Sequence, residues 1–208
     1  MGNITLISGP VKSGKSNYAE SIVKSYQDER VAYIATQANQ FLDSEMESRI
    51  EKHQSDRPDS WVTIEEYKDL DQMIKESNDY ESILMDCVTL WVNNLFFDEI
   101  GRYYVAKHQL AKLPKDFDVD AFINEFTKQD TDYMQEYLMG KANLLINAMK
   151  QSETKFVVVT NEVGWSITPP TKLGRIFADY YGIINRHFAK HADNVYMVEL
   201  GIARQLKP

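Results

Sequence analysis

Ile4-Thr5-Leu6-Ile7-Ser8-Gly9-Pro10-Val11-Lys12-Ser13-Gly14-Lys15-Ser16 is the stretch that decides the fold. Its first residues are apolar or β-branched and predict a short buried strand. The run behind them satisfies G-x-x-x-x-G-K-[ST], and helical periodicity resumes at Tyr18. A phosphate chain needs several backbone N–H donors converging on it. A glycine-permitted loop feeding a helix N-terminus supplies them, and the helix dipole favours the anion. Gly9, Pro10, Val11, Lys12, Ser13, Gly14, Lys15 and Ser16 are therefore read as the nucleotide-binding loop. Lys15 reaches the outer phosphates as a point charge, and Ser16 ligates magnesium. Average residue frequencies make a chance match on the order of one per cent in a chain of this size, so an accidental glycine-rich turn is the poorer account. Pro10 is an oddity, since it gives up one loop N–H.

Working outward, further apolar runs stand at 31–35 (VAYIA), 82–85 (SILM), 156–159 (FVVV) and 195–200 (VYMVEL). They are short and nearly continuous, as strands buried on both faces of a parallel sheet are. Helical periodicity marks 18–25, 42–56, 70–77, 89–97, 121–149 and 173–191. Alternating strand and helix predicts an α/β, doubly wound architecture. The 208 residues suit one domain. Gly101, Pro114 and a charge cluster predict an insertion or linker over 101–120, within an acidic region spanning about 98–150. Asp116 to Glu136 holds seven acids against Lys128 alone. That run reads either as a solvated face or as a partner surface.

The composition is that of a folded protein, with 43% hydrophobic and 26% charged residues. A formal charge of -8 argues against steering toward a nucleic-acid backbone. The acidic run accounts for most of that charge, so a local phosphate site built from Lys12, Lys15, Arg49, Lys52 and Arg57 is compatible with it. Cys87 is the only cysteine, which excludes an intrachain disulfide and a structural cysteine zinc site. With no apolar window of membrane-spanning length and no basic leader at the N-terminus, the expected location is the cytoplasm.

Three more constellations carry chemistry. Ser82-Ile83-Leu84-Met85-Asp86 is an apolar run ending in a carboxylate, as the strand that supplies the second magnesium-side group to a phosphate loop does. Cys87 behind it reads as a small buried hydrophobe. On a helix over 42–56, Arg49, His53 and Arg57 repeat at i, i+4 and i+8, which places an imidazole nucleophile between two guanidiniums. The same residues also suit an ordinary surface helix with Glu-Arg pairs such as Glu45 with Arg49. Finally, Asn161-Glu162-Val163 follows the strand at 156–159. Ligands sit past such strand ends, so Glu162 is a general base, a group that orders a magnesium-bound water, or part of a structural turn.

Taken in order, these segments resemble the bifunctional adenosylcobinamide kinase and adenosylcobinamide-phosphate guanylyltransferase family of cobalamin biosynthesis. The specific part is Arg49-Ile50-x-x-His53-x-x-x-Arg57-Pro58-x-x-Trp61, joined by the stretches at 31–36, 86–97 and 157–169. Lys12 stands where the family usually has an arginine. The resemblance implies a P-loop NTPase-like (RecA-like), mostly parallel sheet flanked by helices. It implies a nucleoside triphosphate, ATP or GTP, as phosphoryl donor to the aminopropanol hydroxyl of adenosylcobinamide, with Mg2+. GTP then forms a GMP-histidine on His53, and GMP passes to the phosphorylated corrinoid. It places nucleotide contacts at Ile34, Ala35, Thr36, Gln54, Ser55, Asp56, Arg57, Glu65 and Asp86, and it implies a homotrimer. Competing readings are a guanylyltransferase alone, another small-molecule kinase, or a nucleotide-responsive regulatory or scaffold protein.

Overall fold

The computed structural model describes residues 2–37, 58–76, 79–163 and 168–208. The phosphate-loop strand, β1 (Asn3–Ser8), lies inside a sheet whose other strands are β2 (Val31–Ala35), β3 (Val62–Glu65), β4 (Ser82–Asp86), β5 (Lys155–Val159), β6 (Asn194–Glu199) and β7 (Ile202–Lys207). Their order is β3-β2-β4-β5-β1-β6-β7. Every pairing is parallel except that of β6 with β7. The expected α/β fold with a mostly parallel sheet is therefore present.

Period-two alternation sends each inner strand into two apolar layers. Ile4, Leu6, Ile34, Ile83, Met85, Phe156 and Val158 enter one core. Ile7, Val31, Tyr33, Leu84, Val157 and Val159 enter the other. The second core is covered by α1 (Lys15–Ser25) through Ala19 and Val23. Over the first lie α2 (Leu70–Glu76), α3 (Val88–Lys107), α4 (Val119–Asn124), α5 (Lys128–Gln151) and α6 (Lys172–His191).

Several expectations are corrected. The interruption predicted from Gly101 is absent: α3 continues to Lys107, and the space a Cβ at Gly101 would fill faces the Leu113 side chain. The helix expected over 121–149 is two helices. Thr127 caps α5, accepting from the Asp130 N–H while the Asp130 carboxylate accepts from the Thr127 N–H, and this capping box sets the break. β3 and β7 were not predicted, because edge strands with mostly exposed side chains lack the continuous apolar signal. Leu200 does not extend β6. It forms with Gly201 a two-residue turn, both at positive φ (52° and 78°), that pairs Glu199 with Ile202 across a hairpin. The predicted helix over 42–56 lies outside the described residues.

The acidic run is not wholly solvated either. Asp130 is 2% exposed. It accepts hydrogen bonds from the Lys107 ammonium, the Tyr103 hydroxyl and Thr127. Burial alone would raise its pKa, but these donors outweigh it and hold the carboxyl well below the usual carboxylate range. A depressed folded pKa gives stability that is present above about pH 4, the unfolded value, and lost as the pH falls toward the folded value. Asp130→Ala removes one partner of a buried pair and should cost about 3 kcal/mol at pH 7 in urea denaturation. The gap to wild type should narrow below about pH 4.

Candidate active site

The phosphate loop runs from the end of β1 into α1 along the carboxyl edge of the sheet, where open α/β sheets bind ligands. Its backbone is tied on two sides. The Glu162 N–H donates to the Gly9 carbonyl at 3.0 Å, and the Gly201 N–H donates to the Ser13 carbonyl at 2.9 Å. The loop is thus clasped between the exit of β5 and the β6–β7 turn. This close approach is why Gly9 is a glycine: a Cβ there would stand 2.3 Å from the Val198 carbonyl oxygen and 2.8 Å from Ser13 Oγ. Gly14, at φ 93°, takes the left-handed conformation that opens α1. Lys12 is also left-handed, at φ 58°, and exposed.

Lys15 is buried, and its Nζ donates to the Pro10 carbonyl at 2.9 Å. Burial lowers its pKa, against the opposing pull of the Asp86 carboxylate. The Ser8 and Ser13 hydroxyls are buried within or beside the loop with no hydrogen-bond partner among the described residues. Val11 is exposed at the loop tip.

Sheet register places several expected contacts in one row. Glu65 on β3 pairs with Ala35 on β2, Ala35 with Asp86 on β4, Asp86 with Val159 on β5, and Val159 with Ile7 on β1. The Asp86 Oδ2 accepts from the Tyr33 hydroxyl at 3.0 Å. Its Oδ1 has no hydrogen-bond partner among the described residues. Ser16 is half-buried in the first turn of α1.

Ile34 and Thr36, expected as nucleotide contacts, are both wholly buried. Thr36 spends its polar groups inside the protein. Its hydroxyl donates to the Cys87 carbonyl and accepts the Cys87 N–H, its own N–H donates to the Asp86 carbonyl, and its carbonyl accepts from Asn94 Nδ2. In this arrangement Thr36 holds the strand end that carries Asp86. Cys87 is buried, as read, and burial followed by the Asp86 charge pushes its thiol up to about 12. His53, Gln54, Ser55, Asp56 and Arg57 lie outside the described residues.

Glu162 is half-buried beside the loop through its N–H bond to Gly9. Residues that sequence reasoning did not single out complete the frame: Tyr33 and Asn94 around Asp86, and Gly201 under the loop. An asparagine pair inside a helix, Asn93-Asn94, is a signal that was available, because asparagine is a poor interior helix former. The Gly201 contact carries no local signal.

Residues 5–206 match the family described as cobinamide kinase / cobinamide phosphate guanyltransferase. The chain belongs to that family. Curated relatives include the bifunctional adenosylcobalamin biosynthesis protein CobU of Escherichia coli (strain K12), 36% identical over 97% of this chain and 98% of its own. The protein of that name from Salmonella typhimurium is 34% identical over the same shares. The bifunctional adenosylcobalamin biosynthesis protein CobP of Pseudomonas aeruginosa is 28% identical over 97% of this chain and 96% of its own. Among solved structures, the flagellar accessory protein FlaH from Methanocaldococcus jannaschii is similar at 13% identity and a TM-score of 0.41, covering 99% of this chain and 78% of that one. The family match makes the chain a nucleotide-using enzyme of the kinase and guanyltransferase type, with a P-loop fold.

The tight packing at Gly9 gives a direct prediction. Gly9→Ala forces the loop off the Val198 carbonyl and should weaken binding of a non-hydrolysable nucleoside triphosphate at least about tenfold. Isothermal titration calorimetry measures this.

Proposed function

We propose that this protein phosphorylates the aminopropanol hydroxyl of adenosylcobinamide and then converts the phosphate to adenosylcobinamide-GDP, in assembly of the nucleotide loop of cobalamin. In the first step the hydroxyl oxygen attacks the γ-phosphorus of ATP or GTP, the bond to the β–γ bridging oxygen breaks, and the nucleoside diphosphate leaves. Glu162 takes the hydroxyl proton. The loop N–H groups from Gly9 to Ser16 and the Lys15 ammonium hold the triphosphate and offset charge on the transferring group, so catalysis is mainly positioning and electrostatics.

Ser16 Oγ and Asp86 Oδ1 form a hard oxygen donor set suited to Mg2+, which usually takes one or two protein oxygens together with phosphates and water. When bound there, Mg2+ supplies charge neutralisation on the phosphates. In the second step the neutral imidazole of His53 attacks the α-phosphorus of GTP, a P–N bond forms and pyrophosphate leaves. An oxygen of adenosylcobinamide phosphate then attacks that phosphorus and frees His53. Arg49, Arg57 and the Gln54-Ser55-Asp56 stretch lie in sequence around the carrier histidine, with Ala35, Glu65 and Asp86 as the remaining nucleotide contacts. Ile34 and Thr36 are buried instead, and Thr36 holds the strand end that carries Asp86.

What supports this reading is a phosphate loop seated beside Asp86 in a chain that follows the family over residues 5–206. The chain acts as a homotrimer in the cytoplasm, by resemblance. No described helix is long and apolar enough to cross a membrane.

GTP labelled at the α-phosphate tests the covalent step. The expected product is an acid-labile, base-stable protein adduct that disappears in His53→Ala. An undiminished adduct in that variant would remove His53 as the carrier.

A further inference from the structure

The turn that braces the phosphate loop is itself held by a closed ring of four hydrogen bonds. Thr160 ends the buried run of β5 and is wholly buried. Its hydroxyl donates to Asn185 Oδ1 at 2.7 Å. Asn185, on α6, donates through Nδ2 to the Asn161 carbonyl at 2.9 Å. The Asn161 N–H donates to Thr89 Oγ1, on α3, at 2.9 Å. Thr89 Oγ1 lies 3.4 Å from Thr160 Oγ1 and closes the ring.

The orientation of the Asn185 amide is determined. The Asn161 carbonyl only accepts, so the amide NH2 of Asn185 must face it and Oδ1 must face Thr160. Thr160 has one hydroxyl proton, committed to Asn185, so toward Thr89 across the 3.4 Å gap it can only accept. Asn185 both receives a proton and gives one, which couples the two bonds.

The ring has outlets to both sides of the kinase centre. The residue after Asn161 is Glu162, whose N–H holds Gly9. The Asn161 side chain reaches Cys87 Sγ at 3.7 Å, next to Asp86. Thr89 and Asn185 each touch both strand-end residues from a helix, and Asn185 makes the shorter pair of contacts, accepting from Thr160 at 2.7 Å and donating to the Asn161 carbonyl at 2.9 Å.

We infer that Asn185 is a positioning residue for phosphoryl transfer: its amide fixes the Thr160–Glu162 turn and thereby the placement of Glu162 and of the start of the phosphate loop. The inference rests on the reading of this loop as the kinase centre. A 1 Å misplacement is enough to cost roughly a hundredfold in rate, so the amide acts on turnover without touching substrate.

The isosteric variant Asn185→Asp keeps the acceptor toward Thr160 and removes the donor, setting a carboxylate oxygen against the Asn161 carbonyl. Steady-state kinetics of the full chain with adenosylcobinamide and a nucleoside triphosphate, with Tm recorded alongside, read the result. Asn185→Asp should lower kcat roughly tenfold to a hundredfold, with KM for the nucleotide within about twofold of wild type. Thr160→Val should fall in the same direction, and Thr160→Ser, which keeps the hydroxyl, should retain activity.

Glu162→Gln is run in parallel. If it is impaired while Asn185→Asp turns over normally, the inference is overturned and the reading of Glu162 stands. If Glu162→Gln is normal and Asn185→Asp is impaired in kcat, the reading of Glu162 as the base falls, while the inference is supported in its placement of the phosphate loop, through the Glu162 N–H bond to the Gly9 carbonyl. A change confined to KM or to Tm overturns it.

Discussion

The structure depends on holding a short phosphate-binding loop in one conformation at the edge of a sheet. Two backbone bonds do this: the Glu162 N–H to the Gly9 carbonyl and the Gly201 N–H to the Ser13 carbonyl. Both use carbonyls of the loop, which leaves loop N–H groups for an anion. The clasp explains features that look unrelated. Gly9 has no room for a Cβ against Val198, Gly14 packs with its Cβ position 3.4 Å from the Gly201 Cα, and the β6–β7 hairpin turns at that point through two left-handed residues. The antiparallel edge strand β7 therefore contributes to the site by fixing the turn that carries Gly201.

Parallel pairing brings the chemical groups to that loop. Because β2, β3, β4, β5 and β1 run the same way, their carboxyl ends share one edge, and register alone aligns Glu65, Ala35 and Asp86. Side chains from the helices then lock the strand ends. Asn94 of α3 holds Thr36, Thr89 of α3 holds Asn161, and Asn185 of α6 holds both Thr160 and Asn161. The phosphate site is thus a local consequence of a global arrangement, with α3 reaching strand ends on both sides of Asp86.

What was readable in the sequence follows from where burial is complete. The inner strands announce themselves as apolar runs because both their faces are covered, as Ile4 and Ile7 show by entering opposite cores. β3 and β7 are edges and carry no such run. The phosphate loop was legible because its glycines answer a local backbone demand. The Gly201 clasp and the hydrogen-bond ring were not, since they join residues far apart in sequence. Thr36 is the instructive case: its place in a resembling motif suggested ligand contact, whereas its hydroxyl is committed to the Cys87 backbone. Asp130 shows the same limit for charge, a carboxylate in an acidic run that proves to be buried and paired.

The central claim is that this clasped loop, with Lys15 at its base, performs phosphoryl transfer to the corrinoid alcohol. The most direct measurement is transfer of the labelled γ-phosphate from a nucleoside triphosphate to adenosylcobinamide by Lys15→Met, with folding checked by circular dichroism. The account predicts a folded protein whose transfer rate falls at least about a hundredfold. A folded Lys15→Met enzyme that phosphorylates adenosylcobinamide at the wild-type rate would contradict it.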